Sequence, residues 1–309
     1  MPVSTGATRV PPPMHRPRLR RIATGALPYL FIAPTVATLG FLVLYPVLQV
    51  VYISLWNNFL MTKNPAFVGP GNYLWLLQQG VFRLILSNTT IFTVASVGLH
   101  LVVGLGLALL LSAKIHRLAR ALFRGALILP WMFTAAVVAV NWRLILNPFG
   151  IFNALLAQLH LMSLEAPINW LGELSLALPA LILVNLWRGY PFVMLMLLAA
   201  LQSISPELYE AAAVDGAGAC ARFRYVTIPS IKPVIASVGL LDAIWNFRLF
   251  DLVYLTTGGG PLNSTHVLAT YTYRLAFESF EFGKASALAV MMLCCTLVLS
   301  IFYFRYQKV

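Results

Sequence analysis

The stretch Leu84–Ala113, LILSNTTIFTVASVGLHLVVGLGLALLLSA, contains thirty residues and not one Asp, Glu, Lys or Arg. A helix of about 20 apolar residues already spans the roughly 30 Å of a bilayer's hydrocarbon core, so this run is long enough to cross a membrane with tilt to spare. Five more runs of similar character follow the chain: Ala26–Leu55, Ala121–Leu146, Leu174–Leu201, Pro233–Thr256 and Lys284–Tyr306. The ten-residue alternation of a membrane β-barrel is absent, and the expected fold class is an all-α membrane protein with six transmembrane helices. Composition agrees, because only 10% of the 309 residues are charged and mean hydropathy is +0.83. A soluble domain of this size needs far more polar surface.

The first run follows Arg16, Arg18, Arg20 and Arg21 but is too long for a secretion signal and ends without a small-x-small cleavage site, so it is read as a retained span. Residues 1–25, rich in Pro and Arg, are expected to be a disordered basic cytoplasmic tail, and residues 26–309 the six-helix transmembrane domain. Of the 21 Lys and Arg residues, fourteen fall in the two termini and the loops Lys114–Arg124 and Gln202–Lys232, which six spans place on one side. Four lie on the other side, and Arg143, Arg188 and Arg248 lie within spans. The positive-inside rule then puts both termini in the cytoplasm. Membrane topology accounts for the net charge of +12 without nucleic acid as a partner.

Catalytic signatures are missing: the chain has no GxSxG, HExxH, CxxC or GxxxxGK[ST]. No catalytic residue, metal site or cofactor is expected in it. The three cysteines, Cys220, Cys294 and Cys295, form neither a disulfide framework nor a metal spacing. Prolines 34, 46, 130 and 191 sit inside spans, where they commonly mark kinks. His100 reads as a packed, hydrogen-bonded residue, and Gly98, Gly104 and Gly106 as points of close helix approach.

Charges inside spans each cost at least about 2.5 kcal/mol near the bilayer centre, so they call for partners or a watery cavity. Arg143, near a span end, is expected to snorkel. Arg188 lies mid-span, and Asp242 and Asn246 share a helix face, with Asp242 at a depth that allows a pair with Arg188. Arg248 and Asp251, three apart, can pair with each other. Aromatic residues beside these groups suit a polyhydroxylated ligand, whose C–H faces pack on rings and whose hydroxyls meet polar side chains. The candidate substrate contacts are Trp187, Arg188, Asn246, Arg248, Asp251 and Tyr254.

Between the fourth and fifth runs stands YEAAAVDGAGACARFRYVTIPSIKP, Tyr209–Pro233. Ser205 is a good N-cap, Pro206 suits the first helical position, and Glu207 and Glu210 favour the early turns. The helix is expected to end near Asp215, with Gly216 and Gly218 supplying positive φ. A second short helix, Ala219 to about Thr227, should close at Pro229.

This segment resembles the cytoplasmic EAA loop of the permease subunits of binding-protein-dependent ABC importers, whose pattern is E-A-A, then D-G-A, then hydrophobic-x-hydrophobic-P. Glu210, Ala211, Ala212, Asp215, Gly216, Ala217, Val226, Ile228 and Pro229 occupy those positions. FIAPTVATLGFLVLYPVLQVVYISLWN, FVGPGNY, LPWMFTAAVVAVNW, LWRGYPFVMLMLLAALQSISPELYEAA and FDLVYLTTGGGP resemble the sugar branch, the maltose-type and glycerol-phosphate-type permeases. The resemblance implies a type I importer subunit in a prokaryotic cell membrane, among membrane lipid. It implies pairing with a second permease, docking onto two cytoplasmic ATPase subunits that bind ATP-Mg, and delivery of solute by an extracytoplasmic solute-binding protein. Coupling to the ATPase would fall to Glu210, Ala211, Ala212, Asp215, Gly216 and Pro229, within a loop of about 202–232. The alternative is an ion-coupled secondary transporter of a polar solute that uses Asp242 and Asp251 as cation or proton sites.

Overall fold

The computed structural model describes residues 19–57, 64–113, 116–163 and 165–307. The first eighteen residues of the expected tail lie outside them, as do Lys63, Lys114 and Lys308 of the charge count. The chain forms two compact units that meet at Val50–Val51. In the first, α1 (Leu19–Leu39) continues through a π-helical turn, Gly40–Leu44, into α2 (Tyr45–Ser54), whose last turn belongs to the second unit. The helix thus takes in the last seven residues, 19–25, of the expected tail. Its π turn comes just before Pro46, where the missing N–H would have left an α-helical carbonyl without a donor.

The second unit is built on two long helices, α4 (Gly80–Ser112) and α8 (Ala177–Gln202), packed along each other. Between and around them run a two-residue strand pair (Trp56–Asn57 with Ala66–Phe67), α3 (Gly71–Gln78), α5 (Arg117–Met132), α6 (Ala135–Ile145) and α7 (Ile151–Gln158). After α8 come α9 (Pro206–Val214), α10 (Ala219–Arg222), α11 (Ile228–Phe247), α12 (Asp251–Thr257), α13 (Leu268–Tyr273) and α14 (Phe282–Gln307). Among the described residues five helical runs are long and apolar enough to cross a membrane, and α5 with α6 make a sixth if that bent pair is one span.

The packing of α4 follows the logic of a lipid solvent. Its buried positions recur every fourth residue: Asn88, Phe92, Ser96, His100, Gly104 and Ala108. Its exposed ones include Val94, Val102 and Leu110. Apolar side chains gain nothing by leaving lipid for protein, so the interior takes small and polar residues that allow close contact and hydrogen bonding. Gly104 is such a contact, since a Cβ there would sit 2.9 Å from Val193 Cγ1 and 3.0 Å from the Met194 nitrogen. Gly98 and Gly106 face open space and serve no close approach.

Two spans depart from the expected outlines. The third breaks between Met132 and Ala135, where α5 and α6 meet at 97°. Pro130 stays inside α5, and the break comes later, where Phe133 turns extended and Thr134 caps α6. The fifth begins much earlier than Pro233, because α10, a π turn at Phe223–Thr227 and α11 form one helical run, Ala219–Phe247. Pro229 therefore does not close a short helix. It and Pro233 lie four apart on an exposed face, where the carbonyls they leave without donors are not sealed inside protein. The run stops at Phe247 rather than Thr256, and α12 starts afresh at Asp251.

The connection from α12 to α13 is fastened to α4. Asn88 donates to the carbonyls of Asn263, Ser264 and His266 at 3.0–3.2 Å, and Thr89 Oγ1 accepts from the Leu268 amide at 2.9 Å. The segment opens with Gly258 and Gly259 at φ +60° and +90°, and a Cβ on Gly259 would collide with the buried His266 ring. Burial, reinforced by the Arg274 charge, lowers the His266 pKa to about 4.

Candidate functional site

Four polar side chains from three helices meet inside the second unit. His100 comes from α4, Asn185 from α8, and Asp242 and Asn246 from successive turns of α11; all four are at most 5% exposed. His100 Nδ1 lies 2.7 Å from Asp242 Oδ2, and Nε2 lies 3.1 Å from the Asn185 backbone carbonyl. The side-chain nitrogen of Asn246 donates to Asp242 Oδ1 at 2.9 Å and to the Asp242 carbonyl at 2.8 Å. The Asn185 side chain donates to Asn246 Oδ1 at 2.6 Å. Gly189 makes room for this, because a Cβ there would overlap the His100 ring.

These residues floor a cavity of about 250 Å³, completed by Trp131, Arg188, Gly189, Trp245 and Leu249. Phe192 bridges the aromatic wall, with its ring centroid 4.8 Å from that of Trp245 and 6.0 Å from that of Trp131. Arg188 Nη2 lies 3.6 Å from Asp251 Oδ2, with both groups partly exposed.

The sequence-derived contacts divide accordingly. Arg188 and Asn246 line the cavity, and Asp251 reaches it through Arg188. The Arg188 partner is thus Asp251 and not Asp242, whose carboxylate is occupied by His100 and Asn246. Arg248 is exposed and forms no ion pair among the described residues, because α11 ends at Phe247 and the i,i+3 geometry with Asp251 is lost. Trp187 stacks on Phe133 at 6.3 Å and meets Trp142 edge-on, in a separate apolar cavity of about 290 Å³. Tyr254 packs between Phe250 and Tyr273, away from both cavities. Among the polar and aromatic residues that line the cavity, His100, Trp131, Asn185, Asp242 and Trp245 are absent from the expected contacts. Asn185 sits three residues before Arg188 on one helix face, a spacing that could have brought it forward. Arg143 is exposed in the last turn of α6, where a cation favours the helix dipole.

The second candidate region is the knob formed by α9 and α10. Ser205 Oγ accepts from the Glu207 amide, and Pro206 occupies the first turn. At the other end Gly216 takes φ +79°, the Gly216 amide bonds the Ala213 carbonyl, and the Ala217 amide bonds the Ala212 carbonyl at 2.8 Å. This is the Schellman closure. Gly218 has φ −68° and serves as the N-cap of α10, so only the first of the two glycines supplies a positive φ. Tyr209 Oη and Thr227 Oγ1, 3.0 Å apart, tie the two helices together. Glu210, Ala211, Asp215, Gly216 and Pro229 are exposed and Ala212 is half-buried.

This combination of a lipid-adapted helical unit, a polar mid-helix cavity and a capped two-helix knob has close counterparts among known proteins. Residues 100–309 match the family described as "Binding-protein-dependent transport system inner membrane component", and the chain belongs to that family. It is 32% identical over 283 residues to the trehalose/maltose transport system permease protein MalF of Thermococcus litoralis, covering 91% of this chain and 94% of the relative. It is 34% identical over 285 residues to the lactose transport system permease protein LacF of Rhizobium radiobacter, covering 91% and 94%. Among solved structures, it aligns with a chain of a bacterial ABC transporter involved in the import of the acidic polysaccharide alginate. That alignment has a TM-score of 0.79 and 23% identity, and it covers 94% of this chain and 99% of the other. The fold is that of a type I ABC importer permease, a multi-pass membrane protein.

Proposed function

We propose that this chain is the transmembrane subunit of an ATP-driven importer of a sugar or sugar-like solute, set in the inner membrane of a prokaryote with both termini cytoplasmic. The observation that carries the solute reading is the cavity itself. Its floor offers amide and carboxylate polar groups and its wall offers the Trp131 and Trp245 rings, backed by Phe192, the pairing that a polyhydroxylated ring needs for its two kinds of surface. The names of the relatives, which cite trehalose, maltose and lactose transport, support the same class. In this reading Arg188, Asn246 and Asn185 meet solute and Asp251 holds Arg188 in place. Trp187, Arg248 and Tyr254 lie around the path.

The knob receives the ATPase. Glu210, Ala211, Asp215 and Gly216 are exposed there beside the half-buried Ala212 and exposed Pro229, and the small side chains let a partner surface approach closely. Two ATPase subunits holding ATP-Mg, a second permease, most simply non-identical, and an extracytoplasmic binding protein complete the assembly. Closure of the ATPases then moves the knob and switches the helices between inward-facing and outward-facing states.

The decisive experiment is purification of the intact complex and measurement of its ATPase activity with its binding protein and a panel of sugars. Stimulation by one sugar class is the expected result, and lack of any co-purifying ATPase would overturn the assignment. Gly216→Pro should abolish ATP-driven uptake while leaving membrane insertion intact. Intact uptake in that variant would remove the coupling role from the knob.

A further inference from the structure

Two backbone carbonyls fix the polarity of the buried cluster. A carbonyl can only accept, so His100 Nε2, which faces the Asn185 carbonyl at 3.1 Å, carries a proton. The Asp242 carbonyl likewise requires the nitrogen end of the Asn246 amide, 2.8 Å away, which turns Asn246 Oδ1 toward Asn185. Asn185 must then present its own amide nitrogen, at 2.6 Å. One position is left, between His100 Nδ1 and Asp242 Oδ2 at 2.7 Å. With Nε2 already protonated, a bare Nδ1 facing a bare carboxylate would set two lone pairs against each other at that distance. One proton therefore sits between them, on nitrogen or on oxygen, and in both arrangements the pair is net neutral. Asn246 spends both of its amide hydrogens on Asp242. Asn185 keeps one N–H and its Oδ1 free of protein partners among the described residues, at the cavity.

We propose that His100 and Asp242 are a neutral positioning pair that orients Asn246 and, through it, Asn185, so that the Asn185 amide presents a fixed donor and acceptor to a solute hydroxyl. The pair keeps its proton throughout and carries none across the membrane. This rests on the cavity being the solute path, as proposed above. Among the described residues, the one charged side chain lining the cavity besides the pair is Arg188, which has Asp251 at 3.6 Å.

The arrangement makes an unusual demand on substitutions. Asp242→Asn keeps every hydrogen bond: the new amide nitrogen donates to Nδ1, which loses its proton, while the amide oxygen still accepts from Asn246. Asp242→Leu and His100→Leu keep the volume and break the chain of donors. The test uses the intact complex in proteoliposomes, with ATP-driven uptake of labelled maltose, trehalose and lactose as probes, and 15N NMR of the histidine-labelled complex. Uptake by Asp242→Asn is expected within about threefold of native, while both leucine variants fall by about a hundredfold or more. The His100 resonances, assigned by difference from His100→Leu or, if that variant does not assemble, from His100→Gln, should show a protonated Nε2 in both native and Asp242→Asn complexes. Nδ1 should change to the bare-nitrogen position in Asp242→Asn. A hundredfold loss in correctly assembled Asp242→Asn would overturn the proposal in favour of a proton-carrying carboxylate, and a bare Nε2 in the native complex would overturn the assigned polarity. The spectra do not depend on the solute, so if no sugar moves it is the sugar reading that fails, and the spectra still decide the pair.

Discussion

The knob at Ser205–Pro229 and the cluster at His100, Asn185, Asp242 and Asn246 are both polar interruptions of an apolar chain, yet they are held in opposite ways. The knob is exposed, its hydrogen bonds are almost all between near neighbours in sequence, and its shape follows from a cap, a proline and one left-handed glycine. The cluster is buried, and the three bonds that join its helices span 61, 85 and 142 positions. Local rules suffice for an exposed surface element, whose polar groups solvent can also meet. A polar site within a membrane needs partners from several helices, because neither lipid nor a neighbouring residue can satisfy it.

That contrast can be tested by loss of stability, measured as thermal unfolding of the full chain in detergent. His100→Leu should have the largest effect, because it leaves the Asp242 carboxylate buried without its partner; removing one member of such a pair costs about 3–5 kcal/mol. Gly189→Ala comes next, at about 1–3 kcal/mol, since the added methyl group must displace the His100 ring. Gly98→Ala, in open space on the neighbouring helix, should cost nothing and serves as its control. Equal effects from the two would show that the close approach at His100 is not what holds the cluster.

His266 gives an intermediate case with a defined pH window. Its folded pKa lies near 4, below the usual 6.5 of the free side chain, so the stabilisation from burying the neutral ring is complete above about 6.5 and declines as pH falls toward 4. The unfolding temperature of the native protein should therefore drop across that window, and His266→Gln should flatten the decline. The smallest effect belongs to the knob: Gly216→Ala places a side chain at φ +79° and should cost about 1 kcal/mol or slightly more. A loss at Gly216 as large as that at His100 would erase the distinction between the two regions.

Sequence reading reached these regions unequally, for reasons that particular residues make plain. Long apolar runs such as Leu84–Ala113 announce themselves by length alone, and the knob announces itself by Ser205, Pro206 and Gly216, whose backbone preferences act within a turn. Boundaries set by three-dimensional context were less visible. Pro229 looks like a helix terminator, but on an exposed face and next to a π turn it is absorbed into a continuous helix. The 97° break in the third span lies at Thr134, away from the proline that suggested a kink. In the site, the Asp242 and Asn246 spacing marks a shared face, but nothing in the sequence couples either to His100. Trp187 and Arg188 are adjacent in sequence yet open onto different cavities, because neighbouring residues on a helix point about 100° apart.

The unbroken run from Ala219 to Phe247 gives the molecule a lever. At 1.5 Å per residue its 29 residues make a rod about 43 Å long, with the knob's second helix at one end and Asn246 at the other. If the rod pivots about its middle, a sideways step of about 2 Å at Ala219 reappears as a step of about 2 Å in the reverse direction at Asn246. The cross-helix hydrogen bonds of 2.6 and 2.7 Å, to Asn185 and His100, do not survive such a displacement of one partner alone. The cluster therefore acts as a clutch: while it is engaged, α4 and α8 must travel with α11, and the three helices turn as one body.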